Sequence, residues 1–203
     1  MKHLSFLLIL CSSLQLHAEV KLPAIFSDHM ILQRDVEVPV WGWADAGEKV
    51  SISFGGKTTS TVADKDGKWS AKLAKLSASA APRELNVKGS NEIKLNNVLV
   101  GDIWICSGQS NMEWQMQNRI DNQAAEIDAA NYPNIRMFSV PKNLGGSAIN
   151  HAIWKVATPE NVKQFSAVGY FFARELNNNL NIPIGVLNSS WGGTRVEAWM
   201  STE

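Results

Sequence analysis

The chain has 203 residues, of which 45% are hydrophobic and 19% are charged, and 19 basic side chains balance 19 acidic ones. This length and composition are typical of one large or two small globular domains with a substantial core. The zero net charge, without a long basic or acidic run, argues against a nucleic acid or an anionic membrane surface as a partner.

Residues 1–18 have the pattern of a secretory signal peptide. A short basic start precedes an apolar run over residues 4–10, and Ala18 precedes the predicted cleavage site. The apolar run is too short to span a bilayer, and no later segment predicts a membrane span. We therefore expect an exported protein, periplasmic or secreted. Cleavage leaves Cys106 as the single cysteine, which excludes a disulfide framework.

Residues 19–98 are predicted to form an all-β domain, a small sandwich, because short runs alternate between apolar and polar residues. The predicted strands cover residues 36–43, 49–54, 57–62, 69–73, 84–87 and 92–95. Gly55 and Gly56 predict a hairpin between the second and third of these strands. The small and polar residues 76–82 predict a loop. We expect three tryptophans in the core: Trp41, Trp43 and Trp69.

Beyond residue 98 the pattern changes to that of an α/β domain with a parallel sheet. A nearly continuous apolar run over residues 98–106 predicts a strand buried on both faces. Further strands are predicted over residues 135–140 and 183–188, helices over 110–131, 166–178 and 194–200 with Thr194 as an N-cap, and irregular structure over 154–159. Three strands are few for such a layer, so the sheet is expected to be incomplete.

The turn after the first parallel strand reads Gly108-Gln109-Ser110-Asn111-Met112 and predicts a displayed nucleophilic serine. Gly108 permits a cramped backbone beside the nucleophile. Met112 stands where the Gly-x-Ser-x-Gly motif has its second glycine, which disfavours an ordinary α/β-hydrolase elbow. The alternative at this point is that Ser110 only caps the following helix.

A second turn, Ser189-Ser190-Trp191-Gly192-Gly193-Thr194, follows the third parallel strand. Carboxyl ends of parallel strands meet at one edge of a sheet, where such folds bind ligands. The N–H group of Gly192 or Gly193 is therefore a candidate to stabilise an oxyanion. The alternative is a tight connection that needs glycine only for its backbone angles. Three tryptophans flank this edge and are candidates for the floor of a sugar pocket: Trp114, Trp191 and Trp199.

Other reactive side chains give weaker signals. Asp64 and Asp66 lack the remaining ligands of a calcium loop and predict a hairpin turn. His29 and His151 have no metal-ligand spacing, and His151 is interpreted as a surface polar residue rather than a base. Cys106 is predicted to be a small buried apolar residue. No metal site and no cofactor are expected.

Four segments resemble, in the same order, the sialate O-acetylesterase family within the SGNH-type carbohydrate esterases. They are residues 26–34 (Phe-Ser-Asp-His-Met-Ile-Leu-Gln-Arg), 106–114, 165–172 and 184–200. The resemblance extends over nearly all of the chain after the signal peptide. It implies an SGNH-type three-layer α/β/α domain in residues 99–203, preceded by the β-sandwich of residues 19–98.

The resemblance also implies that Ser110 is the nucleophile that hydrolyses acetyl esters on sugars. The N–H of Ser110 and that of Gly192 or Gly193 would then bind the oxyanion, and Gln109 and Asn111 would line the substrate site. The family takes its base from an Asp-x-x-His motif near its C-terminus, and no aspartate of this chain is followed by a histidine three residues later.

This departure leads us to expect the N-terminal portion of such an enzyme, without its base. Loss of a triad base can reduce turnover by a factor on the order of 10⁶, so the chain alone is expected to be nearly inactive. The alternatives are a non-catalytic carbohydrate-binding protein and an inactive fragment.

Overall fold

The computed structural model describes residues 19–142 and 152–201, so the predicted signal peptide and His151 lie outside the described residues. The strands in this part are β1 (Ile31–Gln33), β2 (Val38–Trp43), β3 (Lys49–Phe54), β4 (Lys57–Val62), β5 (Lys68–Leu73), β6 (Ser79–Lys88), β7 (Glu92–Gly108), β8 (Tyr132–Ser139), β9 (Trp154–Ala157) and β10 (Ile184–Ser190). The helices are α1 (Ser110–Glu113), α2 (Gln123–Asp128), α3 (Pro159–Val162), α4 (Ala167–Leu180) and a 3₁₀ helix over Val196–Trp199. None of the described helices is long and apolar enough to cross a membrane.

The architecture is mixed α/β, with a large central sheet and few helices. Eight strands form this sheet in the order β4-β3-β6-β7-β10-β8-β9, with β1 also paired to β7, while β2 and β5 form a separate antiparallel pair. The first half of β7 pairs antiparallel with β6, and its second half pairs parallel with β10. The predicted boundary between residues 98 and 99 therefore falls inside one continuous strand.

The predicted hairpin is confirmed, because β3 and β4 pair antiparallel around Gly55 and Gly56. Both glycines have positive φ, 57° and 78°, which suits the tight turns of two-residue hairpins. The predicted loop over residues 76–82 is wrong in its second half, because β6 begins at Ser79. Pro82 is accommodated there because the register of β6 against β7 shifts between Ser79 and Arg83, where a missing N–H is tolerated.

The predicted parallel layer is confirmed for β7, β10 and β8, which pair parallel to one another through β10. The predicted helix over residues 166–178 is confirmed as α4, whose N-cap Ser166 accepts a hydrogen bond from the Gly169 N–H at 3.0 Å. Residues 154–157 are not irregular as predicted. They form β9, because they find an antiparallel partner in β8 that local sequence does not reveal.

The predicted helix over residues 110–131 is wrong, since only α1 and α2 are helical there. After α1 the backbone leaves the helical path and bonds to a distant segment. The N–H of Met116 donates to the Phe165 carbonyl and that of Gln117 to the Lys163 carbonyl, each at 3.0 Å. Tertiary hydrogen bonds thus replace the helical ones.

Two hydrophobic clusters form the core. The first fills the space between the β2–β5 pair and the β3–β6–β7 part of the large sheet, and the second lies between α4 and the β7–β10–β8 part. Trp69 is buried in the first cluster as predicted, but Trp41 and Trp43 are 40% and 44% exposed. The core prediction for these two fails because successive residues of a strand point to opposite faces, and Val38 and Val40 occupy the inner face of β2.

The second half of β7 is more exposed than its apolar sequence predicts. Val98, Leu99 and Val100 are buried, but Trp104 and Ile105 are 43% and 74% exposed. On the side of β7 opposite β10, the Ile103 N–H donates to the Gln33 side chain at 2.8 Å, and no described strand pairs with β7 beyond that point. Strand side chains are buried by elements that cover the faces of the sheet, and among the described residues only Phe172 of α4 packs its ring on Trp104, which leaves Ile105 on the other face open to solvent.

Arg136, on β8, is a buried cation that joins distant segments. Its guanidinium donates to the Pro133 carbonyl at 3.1 Å, to the His29 carbonyl at 3.5 Å and to Asn97 Oδ1 at 3.1 Å. None of these acceptors is charged, and burial lowers the pKa of Arg136 to about 10. The side chain therefore ties the segment before β1 and the first half of β7 to β8.

We expect Arg136→Met to lower the free energy of unfolding by about 1–3 kcal/mol, because three partly buried oxygen acceptors lose their donor. Urea unfolding followed by tryptophan fluorescence measures the change. Arg119→Met, which alters an exposed arginine, is the matched control. Equal midpoints for the two variants would show that Arg136 does not stabilise the fold through these bonds.

Candidate active site

Ser110 is the first residue of α1, directly after the turn that ends β7. Gly108 has a φ of +141°, in a region that side-chain-bearing residues rarely adopt, and Gln109 is the N-cap but makes no side-chain cap bond. The capping alternative for Ser110 is therefore wrong. Its side chain is exposed, and its hydroxyl has no hydrogen-bond partner within residues 19–142 and 152–201.

The second predicted turn lies against Ser110. The N–H of Trp191 donates to the Gly108 carbonyl at 2.9 Å, which joins the two turns. A Cβ atom on Gly192 would lie 3.4 Å from Ser110 Oγ, which is a van der Waals distance, so the glycine turn packs directly against the serine. A Cβ on Gly193, which has a φ of +79°, would meet no atom within 4 Å.

The N–H groups of the two glycines have different partners. The Gly192 N–H donates to Glu113 Oε2. Across the part of the chain that the structure describes, the N–H groups of Ser110 and Gly193 have no acceptor. Two of the three predicted oxyanion donors are therefore available, and Gly192 is occupied.

Glu113 is a residue of this site that the sequence analysis missed. One carboxylate oxygen accepts from the Gly192 N–H and the other from Lys142 Nζ. The hydrogen bond from Lys142, and after it the one from Gly192, lower the pKa of Glu113 below its ordinary value. The sequence did contain one signal for Glu113, which is its spacing from Ser110. Glu113 follows Ser110 by three residues, and residues three apart on a helix lie on the same face.

Two hollows flank Ser110. One, of about 310 Å³, is lined by Ser110, Glu113, Trp114, Gln115, Asn118 and Gly192. The other, of about 450 Å³, is lined by Ser107, Gly108, Gln109, Ser110, Asn111, Met112 and Val168. The predicted site residues Gln109 and Asn111 thus share a hollow with Ser110, and Trp114, which is half exposed, shares the other.

The predicted helix over residues 194–200 is reduced to the 3₁₀ helix, and the cap prediction for Thr194 is wrong. Arg195 is the N-cap residue, and it makes no side-chain cap bond. The Thr194 hydroxyl donates to the Trp191 carbonyl at 2.7 Å and accepts from Trp199 Nε1 at 2.8 Å. Thr194 therefore closes the glycine turn instead of starting a helix.

No base for Ser110 is found in the described residues. His29, the sole histidine among them, lies 2.8 Å from the Asn97 amide in the first half of β7, whereas Ser110 follows the other end of that strand. No group of three or more histidine, cysteine, aspartate or glutamate residues in this part is placed to hold a metal ion.

Asp64 Oδ1 accepts from the N–H groups of Asp66 and Lys68, as expected of a turn. Cys106 is buried as predicted, and burial raises the pKa of its thiol.

This arrangement suits acyl transfer. The exposed Ser110 hydroxyl has no partner among the described residues, and neither do the N–H groups of Ser110 and of Gly193 in the adjoining glycine turn. A free hydroxyl with free N–H donors close by is the combination that attacks a carbonyl and stabilises the oxyanion that forms. The proton acceptor is the part that the described residues do not supply.

Known proteins share this organisation. Residues 100–203 match the family model of carbohydrate esterases described as sialic acid-specific acetylesterases. The chain is 31% identical over 199 residues to the sialate O-acetylesterases of Pongo abelii and Homo sapiens, an alignment with 86% of this chain and 38% of each relative.

A solved structure is also similar. The crystal structure of a carbohydrate acetylesterase from Xanthomonas citri superimposes with a TM-score of 0.85 at 40% identity, covering 90% of this chain and 42% of that one. The chain thus spans about two fifths of the length of the relatives it matches. On the sequence match and the shared fold together, the chain belongs to the sialic acid-specific acetylesterase family of carbohydrate esterases.

Proposed function

We propose that this chain carries the nucleophile and oxyanion donors of a carbohydrate O-acetylesterase, with Ser110 as the nucleophile. The observation that carries the proposal is the Ser110 hydroxyl itself. It is exposed and unpartnered within the described residues, at the end of a central strand, and Gly192 is packed against it. Metal and organic cofactors have no part in the proposed reaction.

In the proposed reaction, Ser110 Oγ attacks the carbonyl carbon of an acetyl ester. The bond from Oγ to the acetyl carbon forms as the bond from that carbon to the sugar oxygen breaks, and the serine proton passes through a base to the leaving sugar. Water then hydrolyses the acetyl-serine, releasing acetate and restoring the hydroxyl. Each step forms a negatively charged oxygen that needs donors.

The N–H groups of Ser110 and Gly193 are the proposed oxyanion donors, since both lack an acceptor among the described residues. Gln109 and Asn111 line the hollow beside Ser110 and are proposed to contact the substrate. The base is proposed to lie outside the described residues, as in the family's Asp-x-x-His motif. In that case residues 1–203 without the base would be nearly inactive.

The proposed substrate is an acetylated sugar. The relatives include a sialate O-acetylesterase and a carbohydrate acetylesterase, which supports this class. The half-exposed Trp114 beside Ser110 offers an aromatic face on which a sugar ring can pack.

The two-domain architecture and the export of the protein from the cytoplasm are also proposals. We propose that residues 99–203 belong to an SGNH-type three-layer domain and that residues 19–98 form a β-sandwich, which the shared core of the β2–β5 pair and the large sheet supports. The pattern of residues 1–18 supports export.

Ser110→Ala is expected to lower kcat for acetate release by a factor on the order of 10⁶ in the full-length gene product, because the acyl-enzyme cannot form. Acetate released from O-acetylated sialic acid and from acetylated xylan is the measurement. Ser70→Ala, which removes an exposed hydroxyl from β5, is the matched control and is expected to behave like the wild type.

Activity that survives Ser110→Ala would show that another residue is the nucleophile. Sugar binding by the wild-type protein without any acetate release would instead support the non-catalytic carbohydrate-binding alternative.

The donor assignment has its own test in amide proton shifts. When an alkyl fluorophosphonate is attached to Ser110, its phosphonyl oxygen takes the place of the oxyanion. We expect the amide protons of Ser110 and Gly193 to move downfield, while that of Gly192 stays bonded to Glu113. Gly47, which has the same φ of 79° in a remote turn, is the control glycine. Movement of the Gly192 proton without that of Gly193 would reverse the assignment.

A further inference from the structure

We infer that Glu113 is a positioning residue that holds the glycine turn against Ser110 and leaves the Gly193 N–H free for the oxyanion. This inference rests on the proposed role of Ser110 as the nucleophile. Glu113 acts through Gly192 and through Lys142, and it touches neither the reacting serine hydroxyl nor a metal. The glycine turn here means residues 191–193.

The position of Glu113 follows from α1. The Glu113 N–H donates to the Gln109 carbonyl at 2.9 Å, which closes the helical turn that begins the site. This turn places the Glu113 side chain on the same side of α1 as Ser110, facing Gly192. α1 has only four residues, so contacts outside the helix must fix its orientation.

Glu113 joins three chain segments, each of which follows a parallel strand. It belongs to α1 after β7, it pairs with Lys142 after β8, and it binds the Gly192 N–H after β10. Lys142 Nζ also lies 5.9 Å from the centre of the Trp191 ring, a cation–π distance. The backbone bond between Trp191 and Gly108 also ties two of these segments, at the residue before Gly192.

The same contacts argue against other roles for Glu113. Both carboxylate oxygens already accept a strong donor, so neither is available to take the proton of Ser110. The donors also lower its pKa, which makes the carboxylate a weak base at neutral pH. A group that is charged, bonded on both oxygens and adjacent to the nucleophile is suited to hold backbone in place.

The approach of Gly192 to Ser110 depends on this bond. A Cβ on Gly192 would lie 3.4 Å from Ser110 Oγ but only 2.8 Å from Glu113 Oε2. Any side chain at position 192 would therefore push against the carboxylate of Glu113. Without the carboxylate, the turn would lose the acceptor that orients the peptide between Trp191 and Gly192. The next peptide unit, which carries the Gly193 N–H, would then follow a backbone that is no longer held at Gly192.

A first test uses the amide proton of Gly192 in the 203-residue chain and needs no activity. A carboxylate acceptor shifts this proton downfield. Because the pKa of Glu113 is lowered, the contact persists above the ordinary carboxyl pKa and is lost as the pH falls through the lowered value. Lys142 is the charged group that contributes most to lowering the pKa of Glu113. We expect the Gly192 proton to move upfield on acidification in the wild type.

In Glu113→Gln the amide oxygen still accepts from Gly192, but it does not titrate. We expect a smaller downfield shift that is constant over the same pH range. Glu126→Gln is the matched control, because Glu126 is 29% exposed and paired with Arg174, whereas Glu113 is 32% exposed and paired with Lys142. A Gly192 proton that does not titrate in the wild type would overturn the inference, and this outcome needs no variant to fold.

A second test measures, by mass spectrometry, the rate at which an alkyl fluorophosphonate labels Ser110 in the full-length gene product. We expect Glu113→Ala to slow labelling at least tenfold and Glu113→Gln to restore much of the rate, because the glutamine oxygen still holds Gly192. Equal rates for the wild type and Glu113→Ala would overturn the positioning role.

The two proposals fail in different ways. If the wild-type chain shows the Gly192 titration but the full-length gene product keeps its activity in Ser110→Ala, the proposed nucleophile is wrong while the contact stands. If Ser110 is labelled and needed for activity but Gly192 does not titrate, the function stands and the role of Glu113 is wrong.

Discussion

The continuity of β7 is the constraint on which the rest of the structure depends. Its first half is an antiparallel member of the β3–β6 part of the sheet, and its second half is a parallel neighbour of β10. Because both pairings belong to one continuous strand, β7 links the two cores directly. The end of this strand is also where Gly108 turns the backbone and displays Ser110.

The site is an assembly of three turns that no single segment could form. The turns after β7, β8 and β10 meet because their strands are parallel, and they are joined by the Trp191–Gly108 backbone bond, by Glu113 and by the contact of Lys142 with the Trp191 ring. Partly exposed ion pairs such as the one between Glu113 and Lys142 stabilise a protein by roughly 0–1 kcal/mol. The importance of the pair therefore lies in where it holds the glycine turn, and its effect on overall stability is small.

The exposed side of β7 agrees with membership in a family of longer proteins. Trp104 packs edge-on against Phe172 of α4, with ring centres 5.3 Å apart, yet both rings and Ile105 remain partly open to solvent. The relatives are more than twice as long as the aligned region. Within the described residues, the second half of β7 has one paired neighbour, whereas β10 has two.

Local sequence signals were enough to predict the parallel strands, the glycine hairpin, α4 and the two turns that carry Ser110 and Gly192, because hydrophobic periodicity and glycine placement act over neighbouring residues. It did not reveal β9, the early end of α1 or the exposed faces of Trp41 and Trp43, since each depends on which partner a strand or turn finds in space. The helix-cap alternative for Ser110 was likewise excluded only by the structure, which makes Gln109 the N-cap residue and Ser110 the first residue of α1. Glu113 remained hidden because its two partners are far away along the chain and are brought to it only by the parallel order of β7, β10 and β8.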